Sequence, residues 1–378
     1  MIIYLTYNDQ PSGVYWSQVT DVVDHLNTLG GPPVKLFALV SARGFSRTRR
    51  AIKQRSPKAL VLPMVPQMAR WKKNTWILSM VCRFVRPTGI IARGVFATWM
   101  AQRMRDRGSV KKVCFDGRGA YAAEWEEYRL IDDDALIAQF RPLEKEAVNG
   151  SDFRISVTHA LVDHWRERYD YRGKEHIVVP CTLGADHGSV GGELGRTKRN
   201  GSPFSETDVV LVYSGSTAGW QSFGLLEELL SGVLDEQPNV KVLFLSKSDE
   251  NNAKLVERYP GRVSVQWLDP DQVAATLGNC DLGIMVRENT VTNKVASPTK
   301  FGEYLAAGLP VIISEHLGDF SALVMQDSLG LVHREGTHMA TLQRTTNDER
   351  TRLQHYAEAH FTKKAFNSSY LQLLSALR

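Results

Sequence analysis

The stretch Leu282-Gly283-Ile284-Met285-Val286-Arg287-Glu288-Asn289-Thr290-Val291-Thr292-Asn293-Lys294-Val295-Ala296-Ser297-Pro298-Thr299-Lys300-Phe301-Gly302-Glu303-Tyr304-Leu305-Ala306-Ala307-Gly308-Leu309-Pro310-Val311-Ile312-Ile313 sets the reading of this chain. It opens on an apolar run of strand length, passes through a polar loop and reaches a proline. Pro298 fits the first turn of a helix, and Ser297 fits its N-cap. Gly308-Leu309-Pro310 ends that helix and starts the next strand. A helix start above a strand end points unpaired backbone N–H groups and the positive end of the helix dipole into the loop space, which suits an anion. Lys300 adds a full positive charge in the same turn, and Glu303 shares its face. A carboxylate beside an anion site makes sense when it accepts hydrogen bonds from a sugar diol, as acids do on nucleotide riboses. The four residues Ser297–Lys300 alone also suit a plain capped helix with a surface Lys–Glu pair. The whole string is far more specific.

Outward from this stretch the same alternation recurs. Strands are expected at Val209–Tyr213, Val240–Leu245, Val263–Trp267, Leu282–Val286, Pro310–Ile313 and Gly330–Val332, with helices at Gln221–Leu234, Asp348–Ala359 and Lys364–Leu377. Before it, strands are expected at Ile2–Thr6, Val34–Val40, Ala59–Leu62, Val113–Phe115, Arg154–Val157 and His176–Val179. The matching helices are Val14–Leu29, Ile90–Arg107, Ala135–Val148 and Ala160–Tyr169. Between the two series the pattern breaks into glycine-rich and polar sequence. The expected organisation is an α/β chain of two doubly wound, Rossmann-like domains facing across a cleft. The first spans 1–187, the linker 188–204 and the second 205–359, with a final helix over 360–378 packing back on the first. A length of 378 residues suits two cores rather than one.

Composition narrows the class. Hydrophobic residues at 43% and charged residues at 23% describe a globular chain. Met1–Tyr7 lacks the basic start of a signal peptide, and no apolar run reaches the roughly 20 residues of a membrane span. Cys82, Cys114, Cys181 and Cys280 are too scattered for metal or redox spacing, so they read as buried thiols of a cytoplasmic protein. Asp132-Asp133-Asp134 reads as a helix-start acid cluster and Asp269-Pro270-Asp271 as a turn with a helix cap. Neither is assigned a metal, and none is expected.

Ser297-Pro298-x-Lys300-x-x-Glu303-Tyr304-x-Ala306-x-Gly308-x-Pro310-Val311-Ile312 resembles the donor element of retaining glycosyltransferases with the GT-B fold, particularly family 4. The resemblance covers most of the chain and is strong in its second half. It implies that Lys300 and the Ser297–Thr299 backbone, Pro298 included, hold a donor diphosphate, with Glu303 on the ribose. It also implies retention of configuration, with a nucleotide sugar as co-substrate and no cofactor. Tyr213-Ser214-Gly215-Ser216 resembles the family's glycine loop, where small residues let N–H groups approach phosphate. The family's acid eight residues before the ribose Glu is Val295 here, which leaves Arg287 and Asn293 as candidates to meet the sugar ring. Family members often carry Arg or Lys just after the glycine loop. Trp220 and Gln221 stand there instead, and Arg287 is the candidate substitute.

In the first half, Gly13 follows the first strand as in the family's acceptor loop. Phe115-Asp116-Gly117-Arg118 follows another strand, so Asp116 and Arg118 are candidates to orient an acceptor hydroxyl, or else form a tight turn with an ion pair. From Arg43 to Lys112 there are 18 Lys or Arg and one acid, Asp106. That stretch is +17 and leaves −12 for the remainder of a chain whose total is +5. Arg70-Trp71-Lys72-Lys73 and Trp76 interleave rings with cations, which suits a membrane interface and a peripheral place on its inner face. A solvated basic face is the bland alternative. No nucleic-acid motif accompanies the charge, which disfavours a nucleic-acid partner.

The expected activity is transfer of a sugar from a UDP- or GDP-sugar to a hydroxyl of a lipid-linked or surface-polysaccharide acceptor, with Lys300, Asp116 and Arg287 as the catalytic candidates. Two other readings stay open: a nucleotide-sugar epimerase of the same fold, and a non-catalytic membrane- or nucleic-acid-binding protein with a vestigial pocket.

Overall fold

The computed structural model describes residues 1–129, 132–185, 203–215 and 222–378. The expected linker therefore lies, but for Pro203 and Phe204, outside the described residues. The chain divides into two compact units. Unit 1 comprises Met1–Gly184, Val295–Ser297 and Phe366–Arg378; unit 2 comprises Ala185–Lys294 and Pro298–Ala365.

Among the described residues, unit 1 holds a parallel sheet of β1 (Ile2–Tyr7), β2 (Val34–Val40), β3 (Leu60–Pro63), β4 (Gly89–Arg93), β5 (Lys112–Asp116), β6 (Phe153–Ser156) and β7 (His176–Val178), in the order β3-β2-β1-β4-β5-β6-β7. All six residues of β1 are buried, as expected of a central strand covered on both faces. Leu78, Val81, Met100 and Met104 pack on one face with Leu5 and Phe37. Val19, Val23 and Ile52 pack on the other with Ile2 and Tyr4. Tyr370, Leu373, Leu374 and Leu377 of the last helix, Asn367–Ala376, complete that second face.

Ile90–Arg107, expected as one helix, is instead β4 followed by a helix over Gly94–Asp106. Ile90, Ile91 and Ala92 are fully buried between β1 and β5, and this pairing overrides the helical spacing of their apolar side chains. Two helices outside the expected set, Phe45–Arg55 and Asn74–Val85, lie in the basic stretch and carry six of its 18 cations.

Unit 2 holds β8 (Val209–Ser214), β9 (Val240–Leu245), β10 (Val263–Gln266), β11 (Leu282–Met285), β12 (Val311–Ser314) and β13 (Gly330–His333), all parallel, in the order β10-β9-β8-β11-β12-β13. The helix Thr299–Ala306 lies against Asn347–Phe361 through Phe301, whose ring centroid is 4.7 Å from Phe320 and 5.4 Å from Phe361. Full burial of Phe301 and Leu305 contributes about 2 kcal/mol each. Asp281, just before β11, accepts from the backbone N of Val210 at 2.8 Å and pairs with the buried Arg350 at 3.5 Å. That pair ties the helix Asn347–Phe361 to the centre of the sheet.

Candidate functional site

In unit 2 the strand order reverses between β8 and β11, and the loops leaving their carboxyl ends open the crevice where such sheets bind ligands. Gly215 follows β8, and Arg287 follows β11 by one residue beyond Val286. Ser216, together with Trp220 and Gln221, lies outside the described residues.

The helix Thr299–Ala306 starts above this reversal. Its N-cap is Pro298, in extended conformation at φ −70° and ψ 127°, and no described side chain caps it. Ser297, expected as the cap, serves elsewhere: its Oγ accepts from the backbone N of Cys181 at 2.8 Å, within unit 1. The proline fixes the chain just before the helix, and the first-turn N–H groups of Thr299 and Lys300 precede any intrahelical bond.

Lys300 bends back over β8. A Cβ on Gly215 would stand 3.0 Å from Lys300 Cε and 3.4 Å from its Nζ. The bare glycine is what lets the lysine stem lie there. Protein surrounds Lys300 on most sides while part of its surface stays open. Desolvation lowers its pKa; Glu303 opposes that and Arg287 adds to it. Arg287 thus lies within electrostatic reach of Lys300. Two cations held close, one of them partly desolvated, gain most from an anion placed between them.

Arg287 is anchored by its backbone N, which donates to Ser314 Oγ at 2.6 Å, and its Nη1 reaches Asn293 Oδ1 at 3.5 Å. Asn293 is buried, and its Nδ2 donates to the Glu288 carbonyl at 3.1 Å. The Arg287–Lys294 segment, which ends in the short helix Val291–Lys294, is therefore folded on its own polar groups through Asn293.

Tyr304, absent from the site as read from sequence, fixes this helix in place. Its hydroxyl accepts from the backbone N of Ser214 at 2.9 Å and reaches the Ile284 carbonyl at 3.5 Å, so it bridges β8 and β11. Its ring covers Gly283, where a Cβ would come within 2.4 Å of the ring carbons. Burial pushes the Tyr304 hydroxyl far above its ordinary pKa, so it stays a donor. The signal in the sequence was a glycine inside a strand, which marks a close approach.

Val295 occupies the position at which the family resemblance implies an acid. It is 3% exposed, sits in an apolar cluster of unit 1, and its carbonyl accepts from Thr158 Oγ1 at 2.9 Å. A carboxylate there would be buried among apolar groups.

The sequence matches no protein-family model and no curated protein. Solved structures are similar over the whole chain. Sucrose-phosphate synthase from Thermosynechococcus elongatus is 13% identical, with a TM-score of 0.67 over 100% of this chain and 98% of its own. HepE from Anabaena, in complex with UDP, is 13% identical, with a TM-score of 0.70 over 99% of each chain. The catalytic domain of starch synthase IV from Arabidopsis thaliana, bound to ADP and acarbose, is 10% identical, with a TM-score of 0.63 over 100% of this chain and 99% of its own. The fold is GT-B.

The first GT-B unit has a polar cluster of its own at its strand-order reversal, between β1 and β4. Asp116, at the end of β5, is fully buried. Its carboxylate accepts from Tyr4 Oη, pairs with Arg118 Nε at 2.8 Å and lies 3.7 Å from Arg93 Nη1. Arg93 in turn lies 3.8 Å from Asp9, which follows β1. Burial raises the pKa of Asp9, against the pull of Arg93. Burial works most strongly against the charge on Arg118, yet Asp116, with smaller help from Tyr4 and other neighbours, holds its pKa above the ordinary value. Asp116 has no surface to offer a substrate. It holds two guanidinium groups, each about a tenth exposed, by ion pairs at the end of the sheet. Sequence reasoning found Asp116 and Arg118 but not Arg93 or Asp9; Arg93 closes the strand that was read as helix.

Gly13 begins a short helix capped by Ser12, whose Oγ accepts from the backbone N of Tyr15 at 3.4 Å; nothing lies within 4 Å of a Cβ placed on it. Of the basic set, Trp71 is 1% exposed and packs against Phe96 and Trp99, with centroids 4.7 and 4.9 Å away. It is a core residue of the GT-B unit. Arg70, Lys72, Lys73 and Trp76 are exposed.

Proposed function

We propose that this chain is a glycosyltransferase that moves a sugar from a UDP- or GDP-sugar to a hydroxyl, with retention of configuration as in family 4, on a lipid-linked or surface-polysaccharide acceptor at the inner face of a membrane. The observation that carries the reading is the meeting of Lys300, Gly215 and the uncapped start of the Thr299–Ala306 helix at the strand reversal of unit 2. Such a grouping gathers backbone donors, a helix dipole and a full charge on one anion. HepE was solved with UDP and starch synthase IV with ADP, so nucleoside diphosphates are what two similar GT-B proteins bind.

In this reading the diphosphate leaves as the sugar bond breaks, and negative charge builds on it. Lys300, the first-turn N–H groups and Arg287 stabilise that charge, and fixed donors of this kind usually supply most of the rate enhancement. Glu303, on the same helix face as Lys300, receives the ribose hydroxyls. The departing phosphate takes the acceptor proton, so no protein base is assigned, and neither a metal nor a resident cofactor is part of the scheme. Val295, buried and apolar, is outside the sugar site; Arg287 and Asn293 take that place.

The test is incubation with a panel of radiolabelled UDP- and GDP-sugars, reading free against transferred sugar. Binding of at least one donor, with slow release of free sugar when no acceptor is added, is the expected result. Failure of every nucleotide sugar to bind sinks the reading.

A further inference from the structure

The helix Asn74–Val85 buries Leu78, Val81 and Cys82 against the sheet of unit 1. Its other side is unusual. Trp76, Met80 and Phe84 stand four residues apart, one turn above the next, and are 68%, 43% and 80% exposed. They form a single apolar ridge along the outer face of the helix. Phe84 and Trp76 are among the most exposed large apolar side chains described in the molecule, and they share this one helix. Exposed Lys73 and Arg83 fall on the same outer face at helical spacing, with Arg70, Lys72 and Arg86 at its ends. No Asp or Glu occurs anywhere from Arg43 to Arg105.

We propose that this face is a membrane-docking surface that seats Trp76, Met80 and Phe84 among the acyl chains at the headgroup boundary of an anionic bilayer, with Lys73 and Arg83 against the lipid phosphates. Charge complementarity selects the occupant. An apolar ridge whose charged neighbours along its own helix and the turn before it are all cations matches an apolar layer capped by negative headgroups, whereas a second copy of the same face would oppose like charges. No helix among the described residues is long and apolar enough to cross a membrane, so attachment here is to the surface.

The placement of the helix gives this surface a purpose. Asn74, at its start, is fully buried; its Oδ1 accepts from the backbone N of Val65 at 2.8 Å and its Nδ2 reaches Tyr7 Oη at 3.5 Å. Tyr7 ends β1, so the first turn, with Trp76, is fastened to the carboxyl edge of the unit 1 sheet, the edge that carries Arg93 and Asp116. A membrane met through the ridge therefore lies beside the end of the helix that is fastened to that edge. This deepens the proposed function and rests on it for the acceptor alone.

The test is co-sedimentation of the full chain with phosphatidylcholine vesicles and with vesicles that also contain phosphatidylglycerol. The expected result is binding to the second kind only, weakening steeply with added salt, and at least ten-fold weaker for Trp76→Ser/Phe84→Ser and for Lys73→Glu/Arg83→Glu. All four positions are exposed, and circular dichroism checks that the variants fold. UDP or GDP binding, measured on the same variants, is expected to be unchanged. A wild-type chain that ignores anionic vesicles, or variants that bind them as well as wild type does, overturns the docking surface while leaving the donor reading intact. Self-association of the wild type that Trp76→Ser/Phe84→Ser abolishes also overturns it, in favour of a second copy. Vesicle binding by a chain that binds no nucleotide sugar would retain the surface and remove the donor reading.

Discussion

Alanine at position 215 puts a methyl group 3.0 Å from Lys300 Cε and 3.4 Å from its Nζ. The lysine stem, the nearest and most flexible neighbour, must shift by a few tenths of an ångström, with the Tyr213 hydroxyl at 3.3 Å on the methyl as well. Its backbone is outside the left-handed region, so Gly215→Ala itself is unstrained, and loss of glycine freedom in the unfolded chain stabilises the fold by about 0.4–1 kcal/mol. Melting temperature should hold or rise. Nucleotide binding should do the opposite. A hydrogen bond between charged groups contributes about 2 kcal/mol, which makes Lys300→Ala roughly thirty-fold weaker for the diphosphate. A displaced lysine forfeits part of that, about 1 kcal/mol or roughly five-fold. The two substitutions act through one ammonium group, so the double variant should bind no worse than Lys300→Ala alone. Calorimetric titration with whichever of UDP or GDP the wild type binds measures all four corners of the cycle. Strictly additive losses, or a Lys300→Ala protein that binds like wild type, would refute the contact between Lys300 and the diphosphate.

Tyr304→Phe strands the backbone N–H of Ser214 and should cost about 1–3 kcal/mol in urea unfolding, with weaker nucleotide binding as its helix loosens. Asp281→Ala leaves the Arg350 guanidinium buried without its carboxylate and should cost about 3–5 kcal/mol in the same assay; a loss within the scatter of surface variants would mean the pair is idle. Glu144 is fully buried and takes hydrogen bonds from the backbone of Tyr121 and Ala122 and from Tyr169 Oη, yet burial pushes it up from 4.5 to about 7. Because the folded state holds this proton more tightly than the unfolded chain, its contribution is full below the unfolded pKa and is lost as pH rises through about 7, a fall of about 3 kcal/mol. Urea midpoints taken near pH 5 and near pH 8 should show that fall in wild type and not in Glu144→Gln; parallel curves for the two proteins would refute it.

Much of the sheet could be read from the chain because parallel strands are buried on both faces. Val34–Val40 and Val240–Leu245 are apolar runs broken only by Lys35 and Lys241, and their bounds were legible to the residue. Gly89–Arg93 was not, because its apolar residues run on into a helix whose own face continues their spacing. Phe45–Arg55 escaped notice for the opposite reason: Ile52 is its one buried side chain amid five cations, too few apolar positions to show a period. At the site, Lys300 and Gly215 could be singled out locally, but their contact could not, since 85 residues separate them and only the adjacency of β8 and β11 joins them. Arg93 and Asp9 came to Asp116 in the same way, through the order of strands. Trp71 and Trp76 look alike in sequence; which one packs on Phe96 and which faces outward depends on helix phase.

Tyr304 joins β8 to β11 through its hydroxyl and closes over Gly283 with its ring, so the helix carrying Lys300 is bolted to the two buried central strands of unit 2. The diphosphate is common to all UDP- and GDP-sugars, whereas the sugar ring is what differs; Asn293, assigned to the ring, stands on the separate Arg287–Lys294 segment, with Arg287 at its start assigned to both. For anyone engineering this scaffold, that separation amounts to a fixed chassis with an exchangeable part. Libraries that vary the exposed positions Glu288, Asn289 and Val291 while sparing Gly215, Gly283, Arg287, Lys300 and Tyr304 should retool donor choice while keeping the proposed grip on the leaving group.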